Sequence, residues 1–126
     1  MNFIETSVSG NGTGVELKGA NLTVKLSDAQ GGAVKDAGAA KVTVGVRPEH
    51  LEHVAGDDGV KIDAGVDVVE YLGHEELLHL RAGEDDIVAI LDSGHGANVG
   101  DTLSLHAPAK RLHLFNTETG AAIRPN

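Results

Sequence analysis

The side chains in this 126-residue chain that could carry chemistry are mainly histidines and carboxylates, and one set of them follows a valine-rich stretch. His50 and His53 lie three residues apart with Glu49 and Glu52 beside them. One face of a turn could therefore present imidazole and carboxylate groups to a metal ion. The simpler interpretation, which we favour, is a solvent-exposed strand exit. We interpret His74, which also has acidic neighbours, in the same way.

Three acidic clusters could supply paired carboxylates for acid–base catalysis or for calcium. They are Asp57-Asp58, Glu75-Glu76 and residues 84–86. Each cluster falls in a predicted turn, where solvated carboxylates are usual, so we interpret all three as solvated turns. The remaining strand histidines are predicted to be half-buried packing residues: His79, His106 and His113. No serine stands in a G-x-S-x-G setting, so no elbow-type nucleophile is expected.

The glycine-rich segment at residues 94–100 has the composition of a phosphate-binding loop. A strand rather than a helix is predicted to follow it, so the helix N-terminus that holds anions is missing. The chain also contains no G-x-x-x-x-G-K-[ST] motif. We therefore interpret the segment as a long hairpin connection, and we expect no ATP site and no enzymatic activity in this chain.

Short strands are the elements that must position these groups. Seventeen glycines separate stretches of alternating apolar and polar residues. Nine or ten such stretches, spaced by roughly 8–12 residues, predict an all-β barrel or sandwich. The longest alternation covers residues 60–68 and predicts a bent strand that serves two sheet faces, with Gly65 at the bend or bulge. Residues 28–40 are predicted to form a loop with a helical turn at most, and no helix longer than about two turns is expected.

Residues 42–51 form the stretch around which the chain is organised. Three valines alternate with polar or small residues up to Arg47, which predicts a half-buried strand. Pro48 ends that strand because it has no N–H for a sheet ladder, and it suits the first position of a helical turn. We expect Arg47 to pin this corner through ion pairs with Glu49 or Glu52 and hydrogen bonds to backbone carbonyls.

The charge distribution limits the classes of partner. The formal net charge is −9, and fourteen acidic residues but only two basic ones lie between Glu49 and Asp101. A surface of that sign repels phosphate backbones and anionic lipids. Binding of single-stranded nucleic acid also needs stacking aromatics, and this chain has three aromatic residues in all. The absence of cysteine excludes disulfides and fits a reducing compartment.

Five segments carry a family resemblance. They are MNFIE at residues 1–5, GVRPEHL at 45–51, VDVVEYLGHE at 66–75, NVGDTLSL at 98–105 and RLHLFNTETGAAI at 111–123. In this order they resemble the C-terminal regulatory domain of ATP-binding subunits of sugar-type ABC importers, the maltose-importer class. The resemblance implies one transport-associated OB (TOBE-type) domain over residues 1–126, built from two small intertwined OB-type subdomains. It also implies that an ATPase domain, absent here, precedes Met1 in a longer parent chain.

The function implied by the resemblance is a non-catalytic regulatory and dimerisation domain in the cytoplasm, at the inner face of the membrane. The implied partners are a second copy, the parent's ATPase domain, the membrane permease subunits and a regulatory protein, without nucleic acid. ATP and Mg²⁺ would belong to the parent, with no cofactor or metal here. An alternative is a stand-alone OB-fold module for a small anion or single-stranded nucleic acid. The candidate structural or interface residues are Arg47, Pro48, Glu49, His50, Leu51, Glu70, Gly73 and Phe115.

Overall fold

Ten strands, one α-helix and two 3₁₀ turns make up the part of the chain that the computed structural model describes, residues 1–11, 14–19, 22–53, 58–92 and 98–124. The predicted all-β class is thus confirmed. The helix α1 is Asp28–Ala37, and the 3₁₀ turns are Pro48–His50 and Ala109–Arg111. The strands are β1 (Asn2–Asn11), β2 (Gly14–Gly19), β3 (Leu22–Lys25), β4 (Lys41–Val46), β5 (Gly59–Tyr71), β6 (Glu75–Ala82), β7 (Asp85–Asp92), β8 (Thr102–Ala107), β9 (His113–Asn116) and β10 (Ala122–Ile123).

The strands form an antiparallel sheet in the order β10-β9-β4-β1-β2-β3-β5-β6-β7, with β8 paired to β5. The long strand β5 pairs with β3 and β8 through its first half and with β6 through its second half. The predicted bent strand is therefore confirmed, but its bulge lies at Asp67, between Val66 and Val68. Gly65 keeps partners on both sides, so the extra residue is accommodated beyond it.

The helix α1 corrects the loop predicted at residues 28–40. Ser27 caps it: the Ser27 hydroxyl accepts from the Gln30 N–H at 3.2 Å, and the Gln30 side chain accepts from the Ser27 N–H at 3.1 Å. Gly38 ends the helix in the left-handed conformation, with φ of 64°. The ten-residue helix forms despite an internal glycine pair; the capping box at Ser27 stabilises its start, and Gly31 is buried against Val15.

The buried apolar side chains of the described residues are all aliphatic, and most of them occupy the inward positions of the alternating strands. Buried polar side chains bond to backbone groups of distant elements. The Thr6 hydroxyl donates to the Val42 carbonyl at 2.7 Å, and the Gln30 amide donates to the Ala109 carbonyl at 2.7 Å. These bonds connect β1 to β4 and α1 to the second 3₁₀ turn.

Candidate functional site

The corner segment, defined here as residues 47–51, leaves β4 as the sequence predicts. Pro48 opens a 3₁₀ turn in which the His50 N–H donates to the Arg47 carbonyl at 2.9 Å. Leu51 follows the turn and is fully buried, at 0% exposure. The corner is thus anchored to the core by an apolar side chain.

Arg47 does not pin the corner. Its side chain is exposed and forms neither an ion pair nor a hydrogen bond with any residue in the described ranges. Glu49 and Glu52 are exposed as well. The prediction was wrong because Arg47 continues the alternation of β4 and lies on the outward face of the sheet, where water solvates its charge.

His50 and His53 do not converge on a common site. His50 is half-buried, and its Nδ1 atom is buried without a hydrogen-bond partner in the described structure, whereas His53 is exposed. Among the described residues, no group of three or more histidines and carboxylates could hold a metal ion. The chain beyond the corner is instead bound to β8, because Glu52 and His106 exchange two backbone hydrogen bonds of 2.8 Å.

Glu70 and Gly73 lie in the β5–β6 hairpin. The Glu70 Oε2 atom is 3.2 Å from the His79 Nε2 atom, and both side chains are about half exposed. An exposed pair of this kind contributes at most about 1 kcal/mol to stability. Gly73 has a φ of 83° in the turn, a conformation that favours glycine. Gly73 therefore suits the left-handed position of this turn, and Glu70 contributes one exposed pair to the hairpin.

The other histidines and the acidic clusters fit the predictions in part. His79 and His106 are half-buried, as predicted, but His113 is exposed because it begins β9 on the outward face. Glu76 is buried rather than solvated, because it occupies an inward position at the start of β6. Asp57 and most of segment 94–100 lie outside the described residues. Asp58 accepts a 3.1 Å hydrogen bond from the Ala109 N–H.

Phe115 joins an apolar cluster on the outward face of β1, β4 and β9. Its ring packs edge-on against Phe3, with centroids 6.0 Å apart and an angle of 62°. Both rings and Met1 cover Gly45. A Cβ atom added at Gly45 would lie 3.4 Å from each ring and 2.8 Å from the Met1 Sδ atom. We call Met1, Phe3 and Phe115 the outward cluster. Of these three residues, only Phe115 is a candidate predicted from the sequence, although the alternation of β1 also indicates an outward position for Phe3.

An open groove of about 580 Å³ separates α1 from β10. Small residues line most of it, and its charged groups are Asp28, Asp36 and Arg124. Two carboxylates facing one guanidinium give the groove an acidic character, which disfavours an anionic ligand.

Two family models match the chain. The family described as "MalK OB fold domain" matches residues 1–51, and the family described as "TOBE domain" matches residues 44–115. The chain belongs to the TOBE domain family. The predicted resemblance and the OB-type fold are thereby confirmed. Within this TOBE domain, the corner segment lies where the two matched regions overlap.

The curated relatives of this TOBE domain are about three times as long as it is. The sn-glycerol-3-phosphate import ATP-binding protein UgpC of Escherichia coli O1:K1 / APEC is 35% identical over 123 residues. The proteins of the same name from Escherichia coli K12 and Salmonella choleraesuis are 33% and 32% identical. Each alignment covers 98% of this chain and 33% of the relative. The chain therefore spans a third of the length of these relatives.

A solved structure shares the fold. The cytoplasmic molybdate-binding protein ModG, with molybdate bound, superposes with a TM-score of 0.66 over 90% of this chain and 94% of ModG. The sequences are only 13% identical, so the likeness concerns the fold alone. In the described part of the TOBE domain, no helix is long and apolar enough to cross a membrane.

Proposed function

We propose that this TOBE domain is the non-catalytic regulatory and dimerisation domain of the ATP-binding subunit of an ABC importer for sugars or related solutes. The observation that carries the proposal is the alignment of 98% of the chain with one third of several import ATP-binding proteins. Those relatives are named for sn-glycerol-3-phosphate, a phosphorylated polyol. Such a solute falls within the proposed class.

The proposed partners follow from that placement. The ATPase domain of the parent chain would precede Met1 and would bind ATP and Mg²⁺. The other proposed partners are the membrane permease subunits, a second copy of the domain and a regulatory protein. The proposed location is the cytoplasm, at the inner face of the cell membrane through the transporter complex.

The non-catalytic role is supported by the chemistry of the candidate residues. The Glu70–His79 pair is exposed at the surface, and the Arg47 side chain is solvated. Nucleotide binding of the P-loop type needs a glycine-rich loop that leads into a helix, and the sequence has no such motif. The domain would therefore act through its surfaces rather than through a reaction centre.

The alternative of a stand-alone binding module has less support. A site for single-stranded nucleic acid needs aromatic platforms in a basic groove. Phe3 and Phe115 here pack against each other, and Tyr71 lies in the acidic part of the chain. The groove beside α1 is acidic and does not suit an oxyanion.

The proposal is tested with the parent gene. We expect the DNA upstream of the Met1 codon to continue, in frame, as an ATPase sequence with a G-x-x-x-x-G-K-[ST] motif. A parent protein truncated before Met1 should keep ATP hydrolysis and lose part of its self-association. An independent gene that begins at Met1, or a truncated parent that pairs as well as the intact one, would contradict the proposal.

A further inference from the structure

We infer that the groove between α1 and β10 binds an extended segment of a partner protein that carries two basic side chains four residues apart. The segment adds a strand to the free edge of β10 and places its basic side chains against Asp28 and Asp36 of α1. This inference goes beyond the proposed function and does not depend on it.

The free edge of β10 supplies hydrogen-bonding groups for such a strand. Among the described strands, β10 stands at one end of the sheet order and pairs with β9 alone. Ala122 is opposite Phe115 in that pair, and the neighbouring Asn116 N–H donates to the Ala121 carbonyl at 2.9 Å. In an antiparallel ladder, this pattern makes Ala122 and Phe115 a pair without hydrogen bonds between them. The N–H and C=O of Ala122 therefore point away from β9, and Ala122 lines the groove.

The opposite wall of the groove has room for a chain and carries the two carboxylates. It is formed by one face of α1, on which Ala29, Gly32 and Ala33 lie between Asp28 and Asp36. These intervening residues are small, and a Cβ atom added at Gly32 would meet nothing within 4 Å. The backbone of a bound segment can therefore lie close to this face of the helix.

The spacing of the two carboxylates selects the pattern of basic residues in the partner. Asp28 and Asp36 are separated by about 12 Å along the axis of the helix. In an extended chain, side chains four residues apart lie on the same side and are separated by about 13 Å. Two lysine or arginine side chains at that spacing can each approach one carboxylate, whereas a spacing of three residues puts them on opposite sides.

The charges in the groove favour a basic segment. Asp36 lies in the last turn of α1, where the helix dipole disfavours a negative charge, so its carboxylate does not serve the stability of the helix. Asp28 and Asp36 are exposed, and within the described residues neither forms an ion pair, so docking breaks no existing salt bridge. Arg124 on the β10 side repels a cation, but two carboxylates outweigh one guanidinium.

An NMR titration of the isotope-labelled 126-residue chain with two synthetic peptides tests the inference. The first peptide, acetyl-Thr-Lys-Val-Thr-Val-Lys-Thr-amide, has its lysines four residues apart. The second, acetyl-Thr-Lys-Val-Thr-Lys-Val-Thr-amide, has the same composition but a lysine spacing of three. We expect the first peptide to shift the backbone amide signals of α1 and β10 and to bind about fivefold more tightly than the second, because only the first forms both ion pairs.

Variants of the chain locate the contact. Asp36→Lys should weaken binding of the first peptide by about tenfold, because one ion pair becomes a repulsive contact. Gly32→Leu should weaken it as much, because its side chain fills the open space in the groove. Arg124→Gln should tighten binding by about threefold, an effect that unfolding cannot produce. Glu84→Lys, in an exposed turn, is the control for Asp36→Lys, since both change the net charge equally.

The outcomes either support or overturn peptide binding in this groove. Equal binding of the two peptides would mean that charge alone attracts them, without strand pairing, and would overturn the inference. A loss of affinity in Glu84→Lys as large as that in Asp36→Lys, or amide shifts confined to other elements, would overturn it as well. If the first peptide does not bind at millimolar concentration, the inference is wrong and the proposed function still stands, because that function rests on the alignment with import ATP-binding proteins.

Discussion

The side-chain amide of Asn2 bonds to the backbone of Val88 as a neighbouring strand would. Its Nδ2 atom donates to the Val88 carbonyl at 2.7 Å, and its Oδ1 atom accepts from the Val88 N–H at 2.8 Å. The two residues are 86 positions apart, and Asn2 is buried. This contact attaches the start of β1 to β7, the last strand in the sheet order. It satisfies two backbone hydrogen-bonding groups on the free edge of β7.

We predict that Asn2→Leu lowers the free energy of unfolding by about 1–3 kcal/mol, because leucine has a similar size but leaves the Val88 N–H and carbonyl without partners. Urea unfolding of the variant and the parent measures the difference. Ser7→Ala is the matched control on the same strand, since Ser7 is exposed, and it should stay within about 0.5 kcal/mol of the parent. Equal stability of Asn2→Leu and the parent would show that water replaces the amide at no cost.

Two glycines of the α1 region should respond in opposite directions to alanine. Gly32 lies inside the helix, and an added Cβ would meet nothing within 4 Å, so Gly32→Ala should stabilise the protein by about 0.5–1 kcal/mol. Gly38 ends the helix with φ of 64°, so Gly38→Ala should destabilise it by about 1 kcal/mol. Thermal unfolding of both variants measures the effects. If both changes destabilise the chain, α1 is not the regular helix described here.

The corner segment should depend on Leu51 and not on Arg47. Leu51→Ala should lower the free energy of unfolding by about 2–5 kcal/mol, because it opens a cavity at a fully buried position. Arg47→Ala should change stability by less than about 0.5 kcal/mol, because its side chain is solvated. Chemical denaturation compares the two. A loss of several kcal/mol in Arg47→Ala would restore the pinning role expected from the sequence.

We predict that the chain does not bind ATP. The sequence has no phosphate-binding loop. Isothermal titration calorimetry with ATP and Mg²⁺ should give no heat beyond dilution, and the intact parent subunit serves as the positive control. Binding at micromolar affinity would contradict this prediction.

The strands could be predicted because the alternation of apolar and polar residues that marks them is a local sequence pattern. Val42, Val44 and Val46 alternate, and Pro48 can only end such a strand, so the sequence alone located the corner. The helix α1 was not predicted because Gly31 and Gly32 lower helix propensity, although Ser27 and Gln30 have the spacing of a capping box. The bulge in β5 was predicted at Gly65, because glycine often marks a bulge. Gly65 instead pairs with Arg81 of β6 and Thr102 of β8, and the register shifts between Val66 and Val68.

Which residues of the candidate site lie close together depends more on tertiary contacts than on local sequence patterns. The proximity of Phe115 to Phe3, and of Asn2 to Val88, is set by strand order, which no local pattern encodes. The ion pairs predicted for Arg47 do not form among the described residues, because closeness along the chain does not bring Glu49 or Glu52 to its side chain. Its extended backbone carries the side chain to the outward face.

The proposed function requires that this domain associate with a second copy, and we expect an apolar contact between the two. Each copy carries a formal charge of −9, so long-range repulsion opposes association at low salt. The screening length falls from about 30 Å at 0.01 M salt to about 8 Å at 0.15 M, which removes most of that repulsion. An apolar contact is not weakened by the same change.

Sedimentation velocity at these two salt concentrations, over a range of protein concentrations, is the most direct test. We expect a weak monomer–dimer equilibrium whose dissociation constant falls as salt rises. A monomer under every condition would contradict the claim of self-association. A dimer that loosens with salt would contradict the apolar contact and would mean that complementary charges hold the two copies together.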